Sequence, residues 1–147
     1  MFEPAENWGT MKRKWKLRLG VVGALAGLSL MAASPAFAAE ISGYSRDGCQ
    51  YAHGSYSYTL QGELGGYPTY AANYRLTAYD ECDGDGQGSR LQVTYYEWYA
   101  GWRWKPWTTI AASGQTAGAY LDNVHEVQFR ICEYTTAQGI HGCEPVS

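Results

Sequence analysis

Leu91-Gln92-Val93-Thr94-Tyr95-Tyr96-Glu97-Trp98-Tyr99-Ala100-Gly101-Trp102-Arg103-Trp104-Lys105-Pro106-Trp107 is the stretch from which the fold is read. Leu91, Val93, Tyr95, Glu97 and Tyr99 alternate with Gln92, Thr94, Tyr96 and Trp98. Period two is the spacing of a strand whose side chains point to opposite faces. Ala100-Gly101 then reads as a two-residue turn, which makes the stretch a β-hairpin. That register sets Tyr99 opposite Trp102, Trp98 opposite Arg103, Glu97 opposite Trp104 and Tyr96 opposite Lys105. Trp102 and Trp104 join the Leu91/Val93/Tyr95 face as core. Arg103 and Lys105 lie beside Trp98 and Tyr96 on a solvent-facing ladder of aromatic and cationic groups. Pro106 ends the second strand, because proline has no N–H to give to a ladder.

The same alternation recurs on both sides of the hairpin. Tyr56, Tyr58 and Leu60 alternate with Ser57, Thr59 and Gln61, up to a break at Gly62, Gly65, Gly66 and Pro68. Tyr74, Leu76 and Ala78 alternate with Arg75, Thr77 and Tyr79, and an acidic, glycine-rich loop follows over 80–88. Strands over 108–112 and 117–121 flank a Ser113-Gly114-Gln115 turn, and Val127, Phe129 and Ile131 mark a last strand. Short strands separated by glycine-rich turns predict an all-β fold, an antiparallel β-sandwich or alternatively a small barrel. Residues 39–48, short, polar and glycine-containing, read as loosely held.

Residues 1–38 stand apart. Lys12, Arg13, Lys14, Lys16 and Arg18 precede an apolar run from Val21 to Ala33, and Ala36-Phe37-Ala38 closes it. A basic region, a short apolar core and small residues at its end are the parts of a secretory signal peptide, with cleavage expected after Ala38. The apolar core falls short of the roughly 20 residues of a membrane-spanning helix. Met11, directly before the basic run, is an alternative initiator. The expected product is residues 39–147, a single secreted β domain of 109 residues. Its six basic and twelve acidic residues give a formal charge of −6. That balance argues against nucleic acid, which requires clustered Lys and Arg, and against anionic membranes.

All four cysteines, Cys49, Cys82, Cys132 and Cys143, fall in this part, where disulfides persist. Of three possible connectivities, Cys49–Cys82 with Cys132–Cys143 is preferred, because the second pair is close in sequence and pins the C-terminal tail. Each bridge is worth roughly 2–4 kcal/mol to a small domain. The paired CxxC or CxxH spacing of a zinc site is missing, and no cofactor is expected. A nucleophile elbow, Gly-x-Ser-x-Gly, is likewise missing, and His53, His125 and His141 lack metalloprotease spacing, so enzymatic activity is not expected. Asp83 and Asp85, alternating with glycines, offer a weak calcium motif. Counted from Asp83, the fifth and twelfth positions are Gln87 and Thr94, which do not complete an EF-hand, and a glycine-rich turn accounts for the pattern.

Binding is the remaining chemistry. Tyr96, Trp98 and Trp107, with Arg103 and Lys105, form the candidate site, for a secreted protein partner or for a polysaccharide that stacks on the rings. Cross-strand aromatic–cation pairs also stabilise a hairpin by about 0.5–1 kcal/mol each with no ligand at all.

Asp80-Glu81-Cys82, Val127-Gln128-Phe129-Arg130-Ile131-Cys132-Glu133 and Gly142-Cys143, behind an alanine-rich leader, resemble small secreted two-disulfide β-sandwich proteins of actinobacteria. Among these the chain is similar in size and build to the adaptor subunits of Streptomyces umbrella toxin particles. The resemblance implies a non-enzymatic adaptor or accessory subunit of a larger extracellular complex. It would contact its partner through the 39–48 segment or the Tyr96/Trp98 face. A carbohydrate-binding module using the 91–105 hairpin is the alternative reading, and a small hydrolase inhibitor the second.

Overall fold

A computed structural model describes residues 36–147. The basic and apolar parts of the expected leader, and Met11, lie outside the described residues. The described chain forms β1 (Phe37–Tyr44), β2 (Gln50–Leu64), β3 (Tyr67–Asp80), β4 (Gly88–Trp98), β5 (Trp102–Trp104), β6 (Thr108–Ala112), β7 (Thr116–Thr135) and β8 (Gly139–Val146). Every pairing is antiparallel, and the expected all-β class holds.

The eight strands make one open sheet in the order β1-β2-β3-β7-β4-β5, with β6 beside β4 and β8 beside β7. It does not close into a barrel. The sheet bends so that its two halves face each other over a shared core. Tyr56 of β2 meets Phe129 of β7 edge-on at 5.5 Å between ring centroids, although those strands are not paired. Ala52, Leu76, Leu91 and Ile131 are fully buried between the halves. Backbone bonds in both directions between Ser42 and Ser147 tie β1 to the end of the chain.

Three expectations change. Residues 39–48 are not loose: β1 pairs with β2 along its whole length, from Phe37 opposite Tyr58 to Tyr44 opposite Tyr51. Cleavage after Ala38 would trim its first two rungs. The break expected over 62–68 shrinks to Gly65-Gly66, both at positive φ (54° and 83°). Two such residues form the turn whose twist matches a hairpin. The strands expected over 117–121 and near 127–131 are one 20-residue strand, β7, with Asn123 and Glu126 at positive φ where it changes partners.

The bridges are Cys49–Cys82 and Cys132–Cys143, the preferred connectivity. The first joins the β1–β2 connection to the loop after β3, and the second staples β7 to β8. Their Cα atoms lie 5.2 and 4.0 Å apart. Disulfides of this kind belong to an oxidising compartment.

Candidate binding face

The 91–107 stretch does form a hairpin, in a different register from the one expected. Trp98 lies opposite Trp102, Glu97 opposite Arg103 and Tyr96 opposite Trp104, so the loop is Tyr99-Ala100-Gly101. Ala100 and Gly101 take positive φ (52° and 141°), and the Tyr99 N–H donates to the Gly101 carbonyl across the loop. A one-residue slip carries every side chain of a strand to the other face. Trp102 and Trp104 therefore leave the expected core position and join Tyr96 and Trp98.

The result is an aromatic cluster rather than an aromatic–cation ladder. Tyr96 stacks on Trp102 at 5.3 Å and lies 5.2 Å from Trp104, while Trp98 meets Trp102 edge-on at 5.6 Å. The β2–β3 turn adds Tyr67, edge-on to both Trp102 (5.9 Å) and Tyr96 (6.3 Å). His125, at the irregular point of β7, closes the base, 6.1 Å from Trp102 and 5.8 Å from Tyr67. Its Nε2 lies 3.3 Å from a Glu126 carboxylate oxygen.

Two contacts fix the hairpin against the β2–β3 turn. The Trp102 indole N–H donates to the Leu64 carbonyl at 2.9 Å. Gly65 packs against Trp98 so closely that a Cβ built on it would clash with Cζ3 and Cη2 of the indole. Glycine at Gly65 thus serves both the positive φ of the turn and the approach of Trp98. Above this anchored base, Tyr67, Trp98 and Trp104 remain 47, 43 and 46 % exposed. Large aromatic side chains left this open together on one face make it the candidate binding surface.

The five residues expected to act together are divided. Tyr96 and Trp98 belong to the cluster. Arg103 lies on the opposite face, paired with Glu97 at 3.1 Å and stacked on Tyr99 at 4.4 Å. Lys105 lies over Tyr95, 5.2 Å from the ring, and its pKa is raised chiefly by a hydrogen bond with the Tyr95 hydroxyl. Trp107 stands under the Arg130 guanidinium at 4.1 Å. The expected Trp98–Arg103 and Tyr96–Lys105 pairs are replaced by Tyr99–Arg103 and Tyr95–Lys105.

Sequence reasoning missed Tyr67 and His125, and it misplaced Trp102 and Trp104. Tyr67 follows a Gly-Gly turn, the local signal by which it could have been found at a hairpin tip. His125 reaches the cluster only through the long-range pairing of β7 with β4.

Asp83 and Asp85 do not form a cage. Asp85 Oδ1 accepts the Gln87 N–H at 2.7 Å, Asp80 Oδ1 accepts the Cys82 N–H at 3.2 Å, and Gly84 and Gly86 take positive φ. Among the described residues, the one group with metal-ligand spacing is Cys49, Cys82 and Asp85, and both of its sulfurs are bridged.

A second aromatic row crosses the outer side of β1, β2 and β3. Tyr44, Tyr51 and Tyr79 lie directly opposite one another on the three neighbouring strands, 4.5 and 6.1 Å apart, and the His53 ring lies nearly parallel to Tyr79 at 5.4 Å. These rings stack face to face, and Tyr44 and Tyr79 at the two ends of the row stay open to solvent.

Compared with family models, with curated proteins and with solved structures, the chain matches none.

Proposed function

We propose that this chain is a non-enzymatic extracellular binding protein, an adaptor or accessory subunit that holds a secreted protein partner through the Tyr67/Tyr96/Trp98/Trp102/Trp104 face. The observation that carries the reading is the exposure of Tyr67, Trp98 and Trp104 around a base fixed by the Trp102–Leu64 hydrogen bond. Interface hot spots are enriched in aromatic groups on surfaces that need little ordering to bind. The face is free of Arg103 and Lys105, which argues for an apolar contact rather than a salt-dependent one.

Ring orientation supports a protein partner over a polysaccharide. A sugar-stacking platform presents rings in a common plane. Here Trp98 stands at 78° to Trp102, and Tyr67 at 69°. The relief is that of a knobbed surface, suited to interdigitation with a protein.

The N-terminal route is weakened. Donating residues 39–48 to a partner's sheet would break the β1–β2 ladder and the Ser42–Ser147 bonds.

The test is capture from the producer's secreted proteins on immobilised residues 39–147. A partner should be held by the wild type and by Arg103→Ala, and lost by at least tenfold with Trp98→Ala and Trp104→Ala in folded protein. Equal capture by all four, or retention on cell-wall polysaccharide instead, would overturn the reading.

A further inference from the structure

A second site lies on the other side of β7. β3 stops pairing with β7 at Val124, and β8 begins pairing with it at Phe129. Both use the edge opposite β4, so a gap is left between them along that edge. A surface cleft of about 600 Å³ opens at this gap. Pockets of this size accept small organic ligands.

Ile41 from β1, Tyr56 from β2, and Val127, Phe129 and Val146 form its apolar wall. Its polar end is Arg130 with Trp107.

The guanidinium of Arg130 is pre-set. It lies 4.1 Å from the centre of the Trp107 ring, and its Nε donates to Gln92 Oε1 at 2.9 Å. The Gln92 amide is held in turn by donating from Nε2 to Thr109 Oγ1 at 3.1 Å. A stacked guanidinium with its Nε bonded still has its terminal N–H groups for a forked contact with a carboxylate. No ion pair engages Arg130 among the described residues, although it is half-buried. Two anionic groups also line the cleft: Glu144, paired with Arg46 at 3.3 Å, and the terminal carboxylate of Ser147, which accepts the Ser42 N–H and makes no ion pair with Arg130. The lining therefore combines an apolar wall with one cation that lacks a carboxylate partner.

We infer that the cleft between β1, β7 and β8 binds a small amphiphilic carboxylate, its hydrocarbon body against Ile41, Val127 and Val146 and its carboxylate on Arg130. The site is separate from the proposed partner-binding face and does not depend on it.

Decanoate and decanol are the probes, titrated below micelle-forming concentration into residues 39–147 and followed by calorimetry and by tryptophan fluorescence. Decanoate should bind saturably at one site, at least tenfold more tightly than decanol. Arg130→Gln should abolish that preference while leaving the weak binding of decanol in place. Val127→Trp, which fills the cleft and leaves the guanidinium untouched, should remove both; it also serves if Arg130→Gln does not fold. Equal affinity for acid and alcohol in the wild type, an unchanged preference in Arg130→Gln, full binding by Val127→Trp, or no saturable binding of decanoate would each overturn the proposal.

Discussion

At the scale of single residues, two positions show how local physics sets the molecule's limits. The first is Tyr56, whose ring packs on Phe129. Burial, and secondarily the neighbouring Tyr58, pushes its phenol up to about 12 from 10.0. Tyr74 shifts the same way, through burial and then Tyr95, against an opposing pull from Lys105. A folded-state pKa above the unfolded one means that the folded protein binds its proton more tightly. The resulting stability is complete below about pH 10 and is lost as pH rises through about 12. Urea midpoints should therefore fall steeply across that window, and Tyr56→Phe should flatten the fall. An identical slope in the variant would contradict this account of Tyr56. The second position is Gly65, with φ of 54° and Trp98 against it. Gly65→Ala forces the indole aside and should cost roughly 2 kcal/mol in denaturant unfolding. Because Trp98 is displaced, partner capture should fall as well. Loss of stability with undiminished capture would separate Trp98 from the binding face.

At the scale of elements, the 91–107 hairpin decides which side of the sheet can bind. Its strands were legible because period two is a local property, carried by Leu91, Val93 and Tyr95 on one side and Gln92 and Thr94 on the other. Its register was not, because it depends on whether Tyr99 belongs to the strand or to the loop. Ala100 at φ 52° is a poor advertisement for a turn, since that region favours glycine or asparagine. What settles the register is distant: the Leu64 carbonyl that receives the Trp102 indole, and the Gly65 turn that receives Trp98. The loose reading of residues 39–48 failed for a similar reason, since the β2 backbone that pairs with β1 leaves no trace in the β1 sequence itself. The Cys132–Cys143 pairing, by contrast, joins neighbouring strands 11 residues apart and could be read from closeness alone. The register makes its own prediction. Replacing Tyr99-Ala100-Gly101 with Asn-Gly keeps Trp98 opposite Trp102, removes the strain at Ala100, and should raise stability by up to about 1 kcal/mol. A drop in melting temperature with a shift in tryptophan emission would show that Tyr99 is a strand residue after all.

At the scale of the whole molecule, a thin core is reinforced by covalent links at two places. The bridges span 33 and 11 residues of sequence, which on loop-closure entropy alone gives about 4 and about 3 kcal/mol. Cys49→Ala/Cys82→Ala should accordingly destabilise more than Cys132→Ala/Cys143→Ala, as read by urea unfolding of the two variants. The reverse order would mean that the β7–β8 staple works mainly through the folded state. Against a typical margin of about 5–15 kcal/mol for a domain, losing both leaves little stability outside an oxidising compartment. This frame holds Tyr67, Trp98 and Trp104 open on one face, and that exposure is the centre of the functional account. Hydroxyl-radical footprinting, read residue by residue by mass spectrometry, tests it most directly, first on free residues 39–147 and then after mixing with the producer's secreted proteins. The account predicts ready oxidation of Trp98, Trp104 and Tyr67 in the free chain and their protection in the mixture, with Trp107 unchanged. Protection of the Tyr44/Tyr51/Tyr79 row instead, or rings at 67, 98 and 104 that oxidise equally in both samples, would contradict it.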